Sequence, residues 1–172
     1  MTGDAPSQNT ETRLWSEIDH ARFGMLGLTG PSPAGQFQPM TAVCESDTRE
    51  IWFFSRTDSQ LAREIGEGAD AVFLVQAKDQ DFQAAVTGRI IVRHDQAYID
   101  RHWNPMVAAW FPDGKHDPKL TLLHLSATRA NVWITQGGPL KLAWEVGKAI
   151  ANHTTPDLGD RETVDLTAHG AA

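Results

Sequence analysis

The sequence predicts a mainly β fold with added helices, in the form of a small antiparallel barrel of six to seven strands. Many short runs of β-favouring residues are bounded by turns, and helical patterns are inserted between them. The chain of 172 residues is long enough for one domain, since about 150 residues can bury roughly 70% of their unfolded surface. We expect a single domain at residues 11–166, a disordered tail at 1–10 and a C-terminal tail at 167–172.

The first part of the chain predicts one helix and three strands. Apolar residues at helical spacing indicate a helix over Glu11–His20. Three further runs, Phe23–Thr29, Gln36–Glu45 and Ile51–Phe54, are rich in β-favouring residues and are separated by turns. Pro39 lacks an N–H, which restricts its strand to an edge or bulge position. These strands are interpreted as an antiparallel meander.

The remaining elements are predicted from turn residues and periodicity. Asp58 or Ser59 caps a short helix, and Gly88 in the longest strand indicates a bulge. The predicted strands are Ala71–Ala77, Phe82–Arg93, Leu120–Leu125 and Asn131–Thr135. The predicted helices are Gln60–Glu67, a helix from Asp95 through Trp103 to Trp110, and a last helix opened by Gly137-Gly138-Pro139 with Leu142, Val146, Ala149 and Ile150 on one face.

Composition excludes several classes of function. The net charge of −7 argues against nucleic acid and anionic membrane partners, because both require a basic patch. No apolar run approaches the ~20 residues needed to cross a bilayer. The single cysteine, Cys44, cannot form an intramolecular disulfide and is expected to be a buried, inert thiol. We therefore expect a cytoplasmic protein. The scattered histidines predict no metal site.

One block of sequence is not explained by ordinary core building. Between Trp103 and Pro118 it carries two tryptophans and a phenylalanine, followed by a polar loop. Trp103 and Trp110 are seven residues apart, so they would share one face of a helix. That helix should end at Phe111, because Pro112 disfavours helical geometry in the residue before it. The block is either a core helix with a surface loop or a flat aromatic wall for a planar ligand.

The same block resembles a known family. Its motif Trp-Asn-Pro-Met followed by Trp-Phe-Pro-x-Gly-Lys-x-Asp-Pro is similar to the general stress protein branch of the pyridoxamine 5'-phosphate oxidase-like, FMN-binding split-barrel superfamily. The resemblance extends more loosely from about Leu14 to Leu166. It implies a split barrel, a homodimer, and a flavin between the subunits, with FMN expected rather than FAD.

The resemblance also implies three places that hold the flavin, besides the wall formed by Trp110 and Phe111. An Arg-Pro-Met triplet on the second strand corresponds to Gln38, Pro39 and Met40, where the arginine is replaced. Phe54, Ser55 and Ser59 occupy the second place, but Gln60 and Leu61 stand where relatives have basic residues. Gln83, five residues before Gly88, corresponds to a glutamine that could meet the flavin ring. Arg56 or Arg63 would be the replacement for the missing cations.

Three functions are consistent with this pattern. The first is a flavin-dependent oxidoreductase or a flavin-binding stress protein, with FMN held weakly because charge-assisted hydrogen bonds to its phosphate are missing. The second is a flavin-free dimeric barrel that serves as a binding or interaction protein, which Gln38 and Leu61 favour. The third, a pyridoxamine 5'-phosphate oxidase proper, is less expected, because the Arg-Leu-His-type substrate motif of those enzymes is missing between Leu140 and Leu166.

Overall fold

The computed structural model describes residues 8–30, 37–135, 143–144, 146–150 and 159–167. The strands of this part are β1 Phe23–Leu28, β2 Gln38–Thr41, β3 Val43–Glu45, β4 Glu50–Arg56, β5 Ala69–Gln76, β6 Phe82–Arg93, β7 Leu120–Ile134 and β8 Asp160–Asp165. The helices with both ends described are α1 Gln8–Ala21, α2 Gln60–Ile65, α3 Gln96–His102 and α4 Pro105–Ala108, and a 3-10 turn spans Gly114–His116. Residues 143–144 and 146–150 are also helical.

The eight strands of the described residues belong to one antiparallel sheet with the order β2-β1-β5-β6-β7-β4-β3, and β8 adds to β7. The two ends of this order, β2 and β3, are separated in the chain by Ala42 alone. Because one residue joins both edges, the sheet must curl until its ends meet, and β2 also contacts β4. The predicted antiparallel barrel is confirmed.

The main core fills the concave, inner face of the curled sheet. Alternate residues of β5 and β6 point inward, among them Phe73, Phe82 and Val86, none of which has exposed surface. On the helix α1, Leu14 and Ile18 are equally buried, because residues four apart lie on one helical face. The helix α2 contributes three further buried residues: Leu61, Ala62 and Ile65. Helices therefore cover the inner face of the barrel.

A second, smaller core lies on the opposite, outer face of the sheet. It joins Trp52 on β4 and Leu122 on β7 to Tyr98 and Ile99 on α3. Phe111, in the loop after α4, completes this cluster and is buried. The segment from α3 to the 3-10 turn thus covers the outer face at β4 and the first half of β7.

Several strand predictions need correction. The run predicted at Gln36–Glu45 contains two strands that break at Ala42. The strand β2 pairs antiparallel with β1, and β3 pairs antiparallel with β4, so the neighbours expected from the meander are found but its middle strand is split. The two runs Leu120–Leu125 and Asn131–Thr135 are parts of one long strand, β7. The polar segment Asp160–Asp165 was not predicted as a strand, yet it pairs with β7 and buries Val164. A strand at the edge of a sheet needs few apolar residues, so the alternation of apolar and polar residues did not predict β8.

The long helix predicted from Asp95 to Trp110 is also wrong. The helix α3 ends at His102, and Trp103 is extended, with φ −65° and ψ 128°. A new helix, α4, starts at Pro105, and the side chain of Asn104 accepts hydrogen bonds from the N–H groups of Met106 and Val107. Pro105 forces its predecessor out of helical geometry by the same rule that stops the helix before Pro112. Trp103 and Trp110 therefore do not share a helical face.

Other expectations hold or change in detail. The register of β6 and β7 shifts between Thr87 and Gly88, which confirms the bulge. A Cβ atom at Gly88 would overlap the carbonyl oxygen of Ser126, so only glycine fits. The first helix begins at Gln8 rather than Glu11, and Thr10 is buried and donates a hydrogen bond to Glu162 Oε2 at 2.6 Å. The start of the last predicted helix, including Leu142, and residues 1–7 and 168–172 lie outside the described residues.

Within the described ranges, we find no helix whose length and apolar character would suit a membrane crossing.

Candidate functional site

The end of β4 and the turn into α2 carry two adjacent hydroxyl groups. Ser55 Oγ and Ser59 Oγ are 3.2 Å apart. Ser59 caps α2, as predicted, by accepting a hydrogen bond of 3.1 Å from the N–H of Ala62. Of the two hydroxyl protons, one is used between the serines. The other is available to a ligand, so this turn offers a neutral donor.

The two arginines suggested as substitute cations differ in their surroundings. Arg56 makes two parallel hydrogen bonds to Asp58, Nε to Oδ1 at 2.9 Å and Nη2 to Oδ2 at 3.0 Å. These two bonds occupy the N–H groups along one edge of the guanidinium, which a phosphate would need for a bidentate contact. Arg63 is exposed in the last turn of α2. Arg56 is therefore already occupied, and Arg63 is the more accessible cation of the two.

Gln38, Pro39 and Met40 are the first three residues of β2, at one end of the strand order. This edge position confirms the restriction expected from Pro39. Met40 packs against the main core, whereas Pro39 is exposed. Because β2 contacts β4, the structure brings the first predicted place close to the second.

Three predicted residues lie differently from what a ligand site requires. Leu61 has only 2% of its surface exposed and belongs to the main core. Its side chain lies in the core of the protomer, which argues against Leu61 as the position of a missing phosphate cation. Gln60 is exposed and donates a hydrogen bond to Glu64 Oε1 at 2.7 Å. Gln83 donates to the carbonyl oxygen of Gln80 at 2.7 Å, and β1 and β5 separate it from β2.

The aromatic block divides into a buried part and an exposed part. Phe54, Trp103 and Phe111 form a packed group. The ring centroid of Trp103 lies 6.5 Å from that of Phe54 and 6.3 Å from that of Phe111. Phe111 is only 3% exposed and belongs to the second core, which corrects the prediction that it forms part of a ligand wall. Trp110, in contrast, is 74% exposed, and Met106 is exposed one turn before it. Only Trp110 remains as a candidate wall.

Sequence reasoning missed an aromatic stack under α3. Trp52 stacks on His124 with ring centroids 4.0 Å apart and on Tyr98 at 4.3 Å, and Tyr98 stacks on His102 at 4.3 Å. His124 Nε2 lies 3.0 Å from Glu50 Oε1. Burial lowers the pKa of His102, followed by the charge of Arg101. The alternation of large aromatic residues on β4 was a signal for this second core, but its partners come from distant segments.

No group of three or more potential metal ligands occurs within the described part of the chain. Burial, followed by the neighbouring Asp19 carboxylate, raises the pKa of the Cys44 thiol to about 11. The thiol therefore stays protonated near neutral pH and is a poor nucleophile.

These residues fit one half of a flavin better than the other. The exposed ring of Trp110 and the hydroxyl pair of Ser55 and Ser59 suit a planar ring and a polyol chain. The phosphate end fits less well, because Gln38 is neutral, Leu61 is buried and Arg56 is paired with Asp58, which leaves Arg63 of the two suggested cations.

Comparison with solved structures places this geometry among known proteins. A protein from Jannaschia sp. CCS1, named as a general stress protein 26, is 28% identical over 92% of this chain and 99% of its own, with a TM-score of 0.73. A general stress family protein from Xanthomonas campestris pv. campestris is 36% identical, over 78% of this chain and 92% of its own, with a TM-score of 0.71. The general stress FMN/FAD binding protein from Xanthomonas citri is 34% identical, over 77% and 93%, with a TM-score of 0.70.

No curated protein matches the chain. A family model does: the model described as pyridoxamine 5'-phosphate oxidase like matches residues 9–157. This range contains β1 to β7 and the whole aromatic block. Together with the curled antiparallel barrel, these matches show that the chain belongs to the pyridoxamine 5'-phosphate oxidase-like family of split-barrel proteins, in its general stress protein branch.

Proposed function

We propose that this protein is a flavin-binding stress protein that works as a homodimer, with a flavin held between the subunits. The observation that carries the proposal is the exposure of Trp110, 74% in the protomer. Phe111 next to it is buried in the second core. The backbone at Trp110 is therefore anchored, and the exposed indole offers a flat surface to a ligand or a partner. The similar protein from Xanthomonas citri is named as FMN/FAD binding, which supports a flavin as the ligand.

The outer face of the sheet supports the dimer. We define the apolar outer face as Phe23, Met25, Phe37, Leu74 and Trp133, which point away from the main core and are each exposed by 38% or more. Met25 and Leu74 face each other across β1 and β5, and Gln83 pairs with Trp133. Contiguous exposed apolar groups of this kind mark interaction surfaces. The predicted site residue Gln83 thus lies on the surface that a second subunit would cover.

In this proposal the protein orients the flavin and the flavin supplies the reaction. A bound flavin would provide hydride or electron transfer. Trp110 would stack on the ring, and Ser55 and Ser59 would donate to the side chain. Gln83 lies at the opposite end of β7 from Ser55 and would reach the ring only from a second subunit. The activity would be that of a flavin-dependent oxidoreductase, with FMN as a weak ligand and the cytoplasm as the location.

The alternative is a dimeric barrel without flavin that serves in binding or interaction. Gln38 and the buried Leu61 favour it, because neither can replace a phosphate cation.

The deciding experiment is a titration of the purified protein with FMN and with riboflavin, followed by flavin and tryptophan fluorescence. We expect saturable quenching, visible flavin absorbance in the protein fraction, and about one flavin per subunit at saturation. Lysozyme at equal concentration controls for nonspecific association. Linear, non-saturating signals with both flavins would contradict the proposal and favour the flavin-free alternative.

A further inference from the structure

The turn from β4 into α2 carries an acidic residue that neutralises its neighbours. Asp58 stands immediately before the capping Ser59 and accepts hydrogen bonds from Arg56 Nε at 2.9 Å and from Arg56 Nη2 at 3.0 Å. The same carboxylate lies 3.5 Å from Lys119 Nζ. One carboxylate therefore engages both Arg56 and Lys119.

The charges around this turn balance. Arg56 and Lys119 are the cations, and Asp58 and Asp117 are the anions that act on them. Asp117 is buried and its Oδ1 accepts a hydrogen bond of 2.7 Å from the N–H of Lys119. The backbone N–H of Thr57 donates to the carbonyl oxygen of Lys119 at 2.8 Å, which holds the two segments together. These four charges cancel one another, and Arg63, exposed in the last turn of α2, lies outside this group.

Asp58 stays ionised near neutral pH. The hydrogen bond from Arg56 lowers the pKa of its carboxyl group below the usual value, and the charge of Lys119 acts in the same direction. A phosphate placed beside Ser59 would meet this negative charge, while a hydroxyl-bearing chain would not. The available donor of the Ser55 and Ser59 pair is neutral and suits such a chain.

We propose that Asp58 is a specificity-determining residue that discriminates against phosphorylated ligands, so that the site prefers a flavin with an uncharged ribityl chain, such as riboflavin, to FMN. This inference rests on the proposed function, because it concerns the ligand of that same site. The ion pair between Arg56 and Asp58 is exposed, so breaking it costs little free energy. The discrimination therefore comes from the carboxylate charge that remains beside the phosphate rather than from the strength of the pair.

The test compares the wild type with Asp58→Asn, which keeps the size of the side chain and removes its charge. Riboflavin and FMN are titrated against each protein at low and at high salt. In the wild type we expect riboflavin to bind at least as tightly as FMN. In Asp58→Asn we expect FMN to bind about tenfold more tightly than in the wild type, the size expected for a phosphate dianion about 5 Å from a unit charge in water. Riboflavin affinity should change by less than about twofold, since its chain carries no charge.

Asp79→Asn is the matched control, because Asp79 is exposed in the turn between β5 and β6 and its loss changes the net charge equally. It should leave both affinities unchanged. The gain for FMN in Asp58→Asn should shrink at high salt, where charges are screened.

Two results would overturn the inference while leaving the proposed function intact: FMN binding more tightly than riboflavin to the wild type, or an equal FMN affinity in Asp58→Asn and the wild type. Saturable binding of neither flavin to any variant would overturn the proposed function, and the inference would fall with it.

Discussion

Trp110 and Phe111 are neighbours in the chain, yet their side chains have opposite surroundings. Phe111 is enclosed by the second core beside Trp103, whereas Trp110 is mostly exposed. A buried aromatic residue stabilises the fold through packing, but an exposed one costs little to remove. This contrast indicates a structural role for Phe111 and leaves Trp110 as the proposed ligand contact.

We expect Phe111→Ala to lower the free energy of unfolding by about 3–5 kcal/mol, because it leaves a cavity in packed core. Trp110→Ala should change stability by less than about 0.5 kcal/mol and should weaken flavin binding. Urea unfolding and flavin titration of both variants separate the two effects. Equal destabilisation by the two changes would show that Trp110 is also a packing residue, and an unchanged affinity in Trp110→Ala would place the ligand elsewhere.

At this scale the sequence predicts local roles well and burial less well. Ser59 was predictable as a cap, because capping depends on residues within one turn of the chain. The burial of Leu61 was not, since the rotation of α2 against the barrel depends on distant residues of the main core. The pairing of Arg56 with Asp58 lies within three residues of sequence and could have been expected.

At the scale of elements, the junction between α3 and α4 depends on two residues. Pro105 prevents α3 from continuing, and the Asn104 side chain satisfies the first N–H groups of α4 at 2.9 and 3.1 Å. Because α4 has only four residues, it contains few internal hydrogen bonds and relies on this cap. The junction connects α3, which packs in the second core, to the segment that carries Trp110.

We expect Asn104→Ala to cost about 1 kcal/mol, the usual contribution of a helix cap, and to weaken flavin binding by loosening the segment that carries Trp110. Asn104→Asp is the matched control, since aspartate accepts the same hydrogen bonds and should preserve both stability and affinity. Thermal melts and flavin titrations of the two variants provide the measurement. Equal stability of all three proteins would mean that the contacts of Val107 with the second core, rather than the cap, hold α4 in place.

The accuracy of the strand predictions depends on how strongly apolar and polar residues alternate. Strands with strong alternation, such as β5 and β6, were predicted nearly to their ends. The strand β8 was missed because five of its six residues are polar and only Val164 is fully buried. Its identity as a strand comes from pairing with β7, which is a property of the tertiary structure.

At the scale of the whole molecule, closure of the barrel depends on Ala42. There the chain leaves β2, which pairs with β1, and enters β3, which pairs with β4. The N–H of Ala42 donates to the carbonyl oxygen of Arg22 at 2.7 Å, which fixes the turning point. A barrel closed in this way buries its inner face within one subunit, and the apolar outer face is left to another surface.

The last prediction concerns that face. We expect the protein to be a dimer at micromolar concentration, and Leu74→Lys to raise the dimer dissociation constant by at least about a hundredfold. In a twofold symmetric interface the substitution acts twice, and each buried ammonium group loses water without gaining a partner. Because Leu74 is 38% exposed in the protomer, the isolated subunit should stay folded.

Light scattering on a dilution series gives the mass of the wild type, of Leu74→Lys and of Ser46→Lys. The last variant adds the same charge at an exposed position in the turn between β3 and β4, away from the apolar outer face, and should remain dimeric. Leu74→Lys should also lose flavin binding in proportion to dimer loss, since the proposed ligand lies between subunits. A wild type that is monomeric throughout would exclude an intersubunit site. A Leu74→Lys protein that remains dimeric would show that the subunits meet through another surface, of which exposed Trp144 and Ile150 offer one.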